Sequence, residues 1–445
     1  EKGEYIIRVG NSSRNTAVAA VLTLAEDRIT EQLSNQMVQD EEIELLSKAD
    51  ATPITYEGEA EQIAGAERIA IETGEIVTEN NASPYDGEEI TSYVYPGSDY
   101  VKATGERYTK GPSGNPTVAA IKVFDAAEGK ETIEELARPE GLEPGKYTLR
   151  DVATGKITMT QFVADLSVDE MAHIVEGISG ASNPDPVVGA QANSVPGAAG
   201  ETTSLYYDTR LIPNTVLADG PAGVRITQHY TQGGEDYFQY CTAFPIGTLI
   251  AMTWDPEVIE EFGNRIGQEM SEYGVTLWLA PGMNIHRNAL CGRNFEYYSE
   301  DPLIAGLTAG YTTKGVQSHP GIGVTLKHYA VNSQETSRNS ENNTVTERAL
   351  REIYLKGFEI GVKMAQPMAI MTSYNQNNSM PAADDYDMCT DLARGEWGFK
   401  GLIMTDWGGG QSTPVNSMHA GNDLIMPGGS SQNIINQFTT ARPTF

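Results

Sequence analysis

From residue 215 onward, short apolar runs alternate with longer helical patterns, and most of the runs stop at a polar side chain. Thr215-Val216-Leu217-Ala218 stops at Asp219, and Val324-Thr325-Leu326 stops at Lys327-His328. Met368-Ala369-Ile370-Met371 stops near Tyr374, and Leu402-Ile403-Met404 stops at Thr405-Asp406-Trp407. Leu249–Met252, Thr276–Ala280 and Asn422–Met426 are further strand-like runs. Helical patterns cover 255–272, 303–317, 346–365 and 386–396. Ser167 with Glu170 forms a capping box ahead of one more helix, 168–175. Seven strands and their helices over about 270 residues predict an α/β fold, a (β/α)8-like TIM barrel, with a doubly wound open sheet as the alternative.

In a parallel barrel the strand fixes the backbone and the loop beyond its C-terminal tip builds the pocket. Asp219, Arg293, Lys327, His328, Tyr374 and Asp406 would then converge on one mouth, with Trp407 beside them. Taken singly, each has an ordinary role. Asp219 suits a turn and Asp406 a helix cap. Arg293 suits an ion pair with Glu296 or Glu300, Lys327-His328 a structural pair, and Tyr374 a place in the core. Taken together, a ring of donors and acceptors beside an indole suits a neutral, hydroxyl-rich ring such as a sugar.

The formal charge of −31 argues against nucleic acid and anionic lipid as partners. No apolar run reaches the roughly 18 residues of a membrane span. Cys241, Cys291 and Cys389 are far apart, and His is scattered, so neither a disulfide framework nor a metal site is expected. Gly408-Gly409-Gly410 lacks the Lys of a phosphate loop, and no cofactor is expected.

Two strands are predicted at 4–10 and 17–24, joined by a turn at 11–15. Two strands alone are marginal in water, so they are expected to belong to a larger β-sandwich completed from elsewhere. Residues 31–157 read as a connecting or accessory segment without assignable chemistry. That segment includes a turn cluster at 80–87 and possible strands at 118–124 and 145–150.

Six motifs occur in order: Asp219-Gly-Pro-Ala-Gly-Val-Arg225, Ala280-Pro-Gly-Met-Asn-Ile-His-Arg287 and Cys291-Gly-Arg-Asn-Phe-Glu-Tyr-Tyr-Ser-Glu-Asp-Pro302. Lys327-His-Tyr-Ala-Val-Asn-Ser-Gln-Glu335, Met371-Thr-Ser-Tyr-Asn375 and Met404-Thr-Asp-Trp407 follow. This series resembles the glycoside hydrolase family 3 β-glucosidases. The resemblance implies a retaining mechanism with Asp406 as nucleophile. It implies that Asp219, Arg225, Arg293, Lys327, His328, Met371 and Tyr374 hold the −1 sugar, with Trp407 as aromatic neighbour. Lys327 and Arg293 are expected to keep the carboxylates ionised. Lys327-His328-Tyr329-Ala330 differs from the loop of the N-acetylglucosaminidase branch, and Thr405-Asp406-Trp407 is closer to glucosidases than to xylosidases.

One departure stands out. In the family the barrel comes first, then an α/β sandwich carrying the acid/base Glu, then a fibronectin-like domain. Here Gly3–Arg14 resembles the end of the fibronectin-like domain, yet it precedes the barrel. The expected layout is a circularly permuted member: 1–30 the end of a fibronectin type III-like β-sandwich, 31–157 accessory, 158–445 the barrel. The acid/base would come from an upstream segment or a second polypeptide carrying the α/β sandwich. The substrate would be a β-glucoside or cello-oligosaccharide. A β-xylosidase, a transglycosylase and a catalytically incomplete sugar-binding protein are the alternatives.

Overall fold

The computed structural model describes residues 1–28, 37, 43, 44, 52, 54–71, 145–178, 192–427 and 431–441. The chain divides into two compact units: residues 1–35 with 43–86, and residues 36–42 with 87–445.

In the first unit, β1 (Gly3–Gly10) pairs antiparallel with β2 (Thr16–Leu24), as two strands joined by a short turn predict. β3 (Glu67–Ala70) adds parallel to β2, so a third strand comes from the stretch read as connecting segment. The helix Glu59–Gly65 is tied to the sheet by Arg8, whose guanidinium bonds Glu59 at 2.9 Å and lies over the Tyr56 ring.

The second unit carries a seven-stranded sheet. Its strands are β4 (Gly177–Ile178), β5 (Gly200–Thr202), β6 (Val216–Ala218), β7 (Leu277–Trp278), β8 (Gly323–Tyr329), β9 (Ala369–Thr372) and β10 (Leu402–Met404). Each strand pairs with the next in sequence. The pairs from β6 to β10 are all parallel, whereas β5 runs against both neighbours. The segment around Leu424 and Ile425 closes the curl, bridging Met404 at the end of β10 and Glu176 beside β4. The result is a barrel-like α/β fold with one reversed stave.

The side chains separate as the strand period demands. Leu217, Leu277, Leu279, Ala369, Met371, Met404 and Leu424 pack inside the curl. Val216, Trp278, Val324, Leu326, Ile370 and Ile403 face the surrounding helices. The helices Pro256–Tyr273 and Pro302–Gln317 each start at a capping Asp followed by Pro, Asp255-Pro256 and Asp301-Pro302. The Ser167–Glu170 capping box forms at the head of Val168–Ile174.

Several local expectations change. Leu249–Met252 is not a strand: Leu249, Ile250 and Ala251 end the helix Gly247–Ala251, and Met252 caps it. Ile250 and Ala251 are buried while Leu249 and Met252 are exposed, a helical face that a four-residue apolar run cannot reveal. Residues 145–150 are a turn leading into the helix Leu149–Ala153, capped by Thr148. The helix predicted at 346–365 is interrupted: a widened π-type turn at Leu350–Tyr354 separates Glu347–Ala349 from Lys356–Ala365. The pattern at 386–396 is likewise π-type over Asp387–Glu396. β4 and β5, only two and three residues long, had no periodic signal. The turn at 80–87 and the strand at 118–124 lie outside the described residues. Among those residues, no helix is long and apolar enough to cross a membrane.

Candidate active site

The turn after β6 is built by two glycines. Gly220 has φ +112°, and a Cβ there would sit 2.0 Å from the Gly223 carbonyl oxygen. This folds the turn back so that the Arg225 N–H donates to the Asp219 carbonyl at 2.8 Å. It also brings the Arg225 guanidinium onto the Asp219 carboxylate. From β8, Lys327 Nζ donates to the other Asp219 oxygen at 2.7 Å. Burial alone would raise the Asp219 carboxyl, but Lys327 and Arg225 outweigh it and hold the group at about 2.

The tip of β10 is different. Asp406 Oδ1 accepts the Trp407 backbone N–H at 2.7 Å, and the Tyr374 hydroxyl also bonds the carboxylate. His328 Nε2 stands 3.6 Å from Asp406 Oδ2. Burial raises the Asp406 carboxyl above its ordinary 3.8, and Lys327, the Trp407 N–H, Arg293 and Tyr374 oppose the rise without cancelling it. Lys327 and Arg293 thus act on Asp406 in the expected direction, while burial sets the sign of the net shift. The same burial, reinforced by Arg293, Lys327 and Arg338, drives the His328 imidazole well below 6.5, so it is neutral near pH 7.

Trp407 donates its indole N–H to the Ala199 carbonyl at 3.2 Å, which pins it to the start of the reversed strand β5. Arg293 pairs with Glu296 and approaches Glu335 at 3.8 Å. The Glu296 pair is the ordinary role expected of it, and its charge also reaches Asp406. Met371 is buried inside the curl on β9, and Tyr374 lies three residues further along the chain. The Lys327–His328 and Tyr329–Ala330 peptide bonds are cis.

Sequence reasoning missed the supporting groups. Asn284 clasps the His328 backbone, donating to its carbonyl at 2.8 Å and accepting its N–H at 2.9 Å. Arg338 lies 5.2 Å over the Tyr374 ring and bonds Glu335 at 3.2 Å. Asn284 falls inside a quoted motif, but Arg338 lies in a loop without periodicity. Glu341, on the same loop after β8, is pushed up to about 7 by burial. Among the described residues, no group of three His, Cys, Asp or Glu is placed to hold a metal ion.

A barrel-like α/β unit with two carboxylates, several cations and an indole at its strand tips is the architecture of a polar small-molecule site. Residues 201–439 match the glycosyl hydrolase family 3 N-terminal domain, and the chain belongs to that family. It is 33% identical over 437 residues to beta-glucosidase A of Butyrivibrio fibrisolvens, covering 98% of this chain and 45% of that protein. It is 42% identical over 222 residues to an exo-alpha-(1->6)-L-arabinopyranosidase of Bifidobacterium longum, covering 49% of this chain and 29% of that protein. The structure of beta-glucosidase 3B from Thermotoga neapolitana in complex with glucose superposes with a TM-score of 0.57 at 43% identity. That match covers 63% of this chain and 39% of the other. The chain thus spans less than half the length of these relatives.

Proposed function

We propose that this chain forms the glucose-holding part of a retaining, exo-acting β-glucosidase. Asp406 attacks the anomeric carbon of a terminal β-glucosyl residue, and the bond to the aglycone oxygen breaks as that oxygen takes a proton. Water then hydrolyses the glycosyl-Asp406 ester, returning glucose with its configuration retained. Asp219 and Lys327 grip the far hydroxyls. Arg225, Arg293, His328, Met371 and Tyr374 complete the −1 subsite, and Trp407 forms its aromatic wall.

The observation that carries this reading is the setting of Asp406: a carboxylate at a strand tip, fixed by the Trp407 N–H and faced by His328, Tyr374, Lys327 and Arg293. One relative's structure is a complex with glucose, and another relative is named an exo-alpha-(1->6)-L-arabinopyranosidase.

The acid/base is a Glu supplied from outside these 445 residues. Its support is that, among the described residues, three carboxylates near the mouth are each paired with cations: Asp219 with Lys327 and Arg225, Glu296 with Arg293, Glu335 with Arg338. The layout is a permuted one: 1–30, joined by β3 and the helix Glu59–Gly65, from a fibronectin type III-like sandwich, the rest of 31–157 accessory, 158–445 barrel, with the α/β sandwich on an upstream segment or second polypeptide. The Butyrivibrio match runs through both units, which favours this order over an unrelated N-terminal extension.

The test is trapping with a 2-deoxy-2-fluoro β-glucoside bearing a dinitrophenyl leaving group, followed by peptide mass spectrometry. Such a leaving group needs little protonation, so the trap works without the acid. A label on Asp406 is expected. A label that forms with the corresponding xyloside but not the glucoside would make the chain a xylosidase. Glucose binding without any label, even with the sandwich added, would leave a sugar-binding protein. Product analysis at high cellobiose separates hydrolysis from transglycosylation.

A further inference from the structure

His328 faces Asp406 through Nε2, and its other nitrogen sits at the end of a buried polar chain. Nδ1 lies 3.2 Å from the Tyr297 hydroxyl. Asn332 Nδ2 donates to that same hydroxyl at 3.1 Å and to Glu335 Oε1 at 3.0 Å. Tyr297, His328 and Asn332 are 0, 2 and 2% exposed, so no solvent is available to satisfy their polar groups.

The proton count follows from the donor inventory. A carboxylate oxygen only accepts, so the Asn332 atom facing Glu335 is its NH2, which fixes the amide orientation. Both amide protons are then spent, one on Glu335 and one on Tyr297. The Tyr297 hydroxyl therefore accepts from Asn332 and still carries its own proton. If Nδ1 were protonated, it would point a second donor at that oxygen, and the phenol proton would be stranded in the interior. An orphaned buried donor loses its hydrogen bond to water and regains none. Nδ1 has one other neighbour, Asn284 Oδ1 at 3.3 Å, which already accepts the His328 backbone N–H.

We propose that Tyr297 and Asn332 are positioning residues that set the tautomer of His328. Tyr297 donates to Nδ1, so the single imidazole proton resides on Nε2 and faces Asp406. The neutral imidazole then presents a donor to the site. In the glucosidase reading, on which this rests, that donor serves a sugar hydroxyl beside the nucleophile. The low basicity of the buried His328 fits, because the ring stays neutral.

The experiment is long-range proton–nitrogen NMR on the full chain carrying nitrogen-15 histidine, with His328→Gln used only to assign the signal among the six His. In the wild type, His328 should show a protonated Nε2 and a bare Nδ1. Tyr297→Phe removes the donor, and the proton should move to Nδ1, where Asn284 accepts it. Asn332→Asp reverses the chain without opening a cavity: the new carboxylate accepts the hydrogen bond of the Tyr297 O–H, and Nδ1 becomes protonated and donates to the Tyr297 oxygen. Glucose affinity should fall about tenfold in both variants, the loss of one hydrogen bond. A protonated Nδ1 in the wild type, or a protonated Nε2 in both variants, would overturn the relay. The tautomer is read without substrate. A chain that never labels Asp406 yet holds the proton on Nε2 keeps the relay and loses the glucosidase reading.

Discussion

The tips of β6 and β10 each end in a carboxylate, and the two groups are perturbed in opposite directions. Asp219 touches two cations directly and is held at about 2. Asp406 touches an N–H and a phenol, feels its cations only at a distance, and is raised. Contact geometry decides the sign, because burial pushes both groups upward. The difference matches different work. A carboxylate held on Lys327 and Arg225 is spoken for and suits binding. A carboxylate whose charge is not neutralised by contact retains its nucleophilic power. A third buried carboxylate extends the series: Asp384 is bonded by Ser412 and Asn416, and burial lifts it to about 7.

The contrast breaks most readily at Asp406. Asp406→Asn should slow glycosylation on the order of 10⁴-fold or more, by analogy with loss of other nucleophiles, while glucose affinity changes by only a few-fold. Trapping kinetics and calorimetry read the two quantities. If trapping persisted in the variant, Asp219 and Asp406 would have to exchange roles. In the wild type, the trapping rate should rise with pH through a midpoint above the ordinary 3.8 of an aspartate, since only the ionised form attacks. A midpoint at or below that value would mean the distant cations outweigh burial.

Asp384 gives the next effect. Its folded pKa of about 7 exceeds the ordinary 3.8, so the folded chain holds the proton more tightly than the unfolded one. That contribution to stability is fully present below 3.8 and is lost as pH rises through about 7. Asp384→Asn mimics the protonated form. Its unfolding free energy should gain on the wild type by roughly 3–4 kcal/mol between about pH 4 and pH 7, measured by urea titration. Asp219 has the opposite sign. Its stabilisation is present above 3.8 and lost as pH falls toward about 2. Asp219→Asn should cost about 2 kcal/mol at neutral pH, with part of the ion-pair energy screened at the open mouth.

The parts legible in the sequence are those with period and punctuation. β6, β8, β9 and β10 were readable because apolar runs end abruptly at Asp219, Lys327, Tyr374 and Asp406. The helical patterns over 255–272 and 303–317 marked the two long helices. β4 and β5 were not readable, since two or three residues carry no alternation and β5 runs against the rule of parallel staves. The partners of each site residue were equally hidden. Nothing local in Asp219 announces Lys327, 108 residues away, and nothing in Tyr297 announces His328. Residue types at strand tips are local facts, whereas the sign of a pKa shift depends on contacts that only the closed sheet makes.

The smallest expected effect is the sharpest test of where the acid/base resides. Glu341 has the raised carboxyl, about 7, that a proton donor needs, and one of its oxygens is buried without a hydrogen-bond partner. It lies on the loop after β8, whose neighbour Glu335 reaches Arg293 and Arg338. Raised acidity alone does not make a donor, because the proton must also reach the leaving oxygen. With the acid/base supplied from outside the chain, Glu341→Gln should change trapping by the dinitrophenyl glucoside by less than about twofold. Its dependence on leaving-group pKa should stay that of the wild type, with the sandwich segment present or absent. If Glu341→Gln instead slowed poor leaving groups on the order of 10²-fold while sparing dinitrophenolate, the donor would lie within the barrel. The series of carboxylates would then include the general acid beside the nucleophile, and no external segment would be required for the first chemical step.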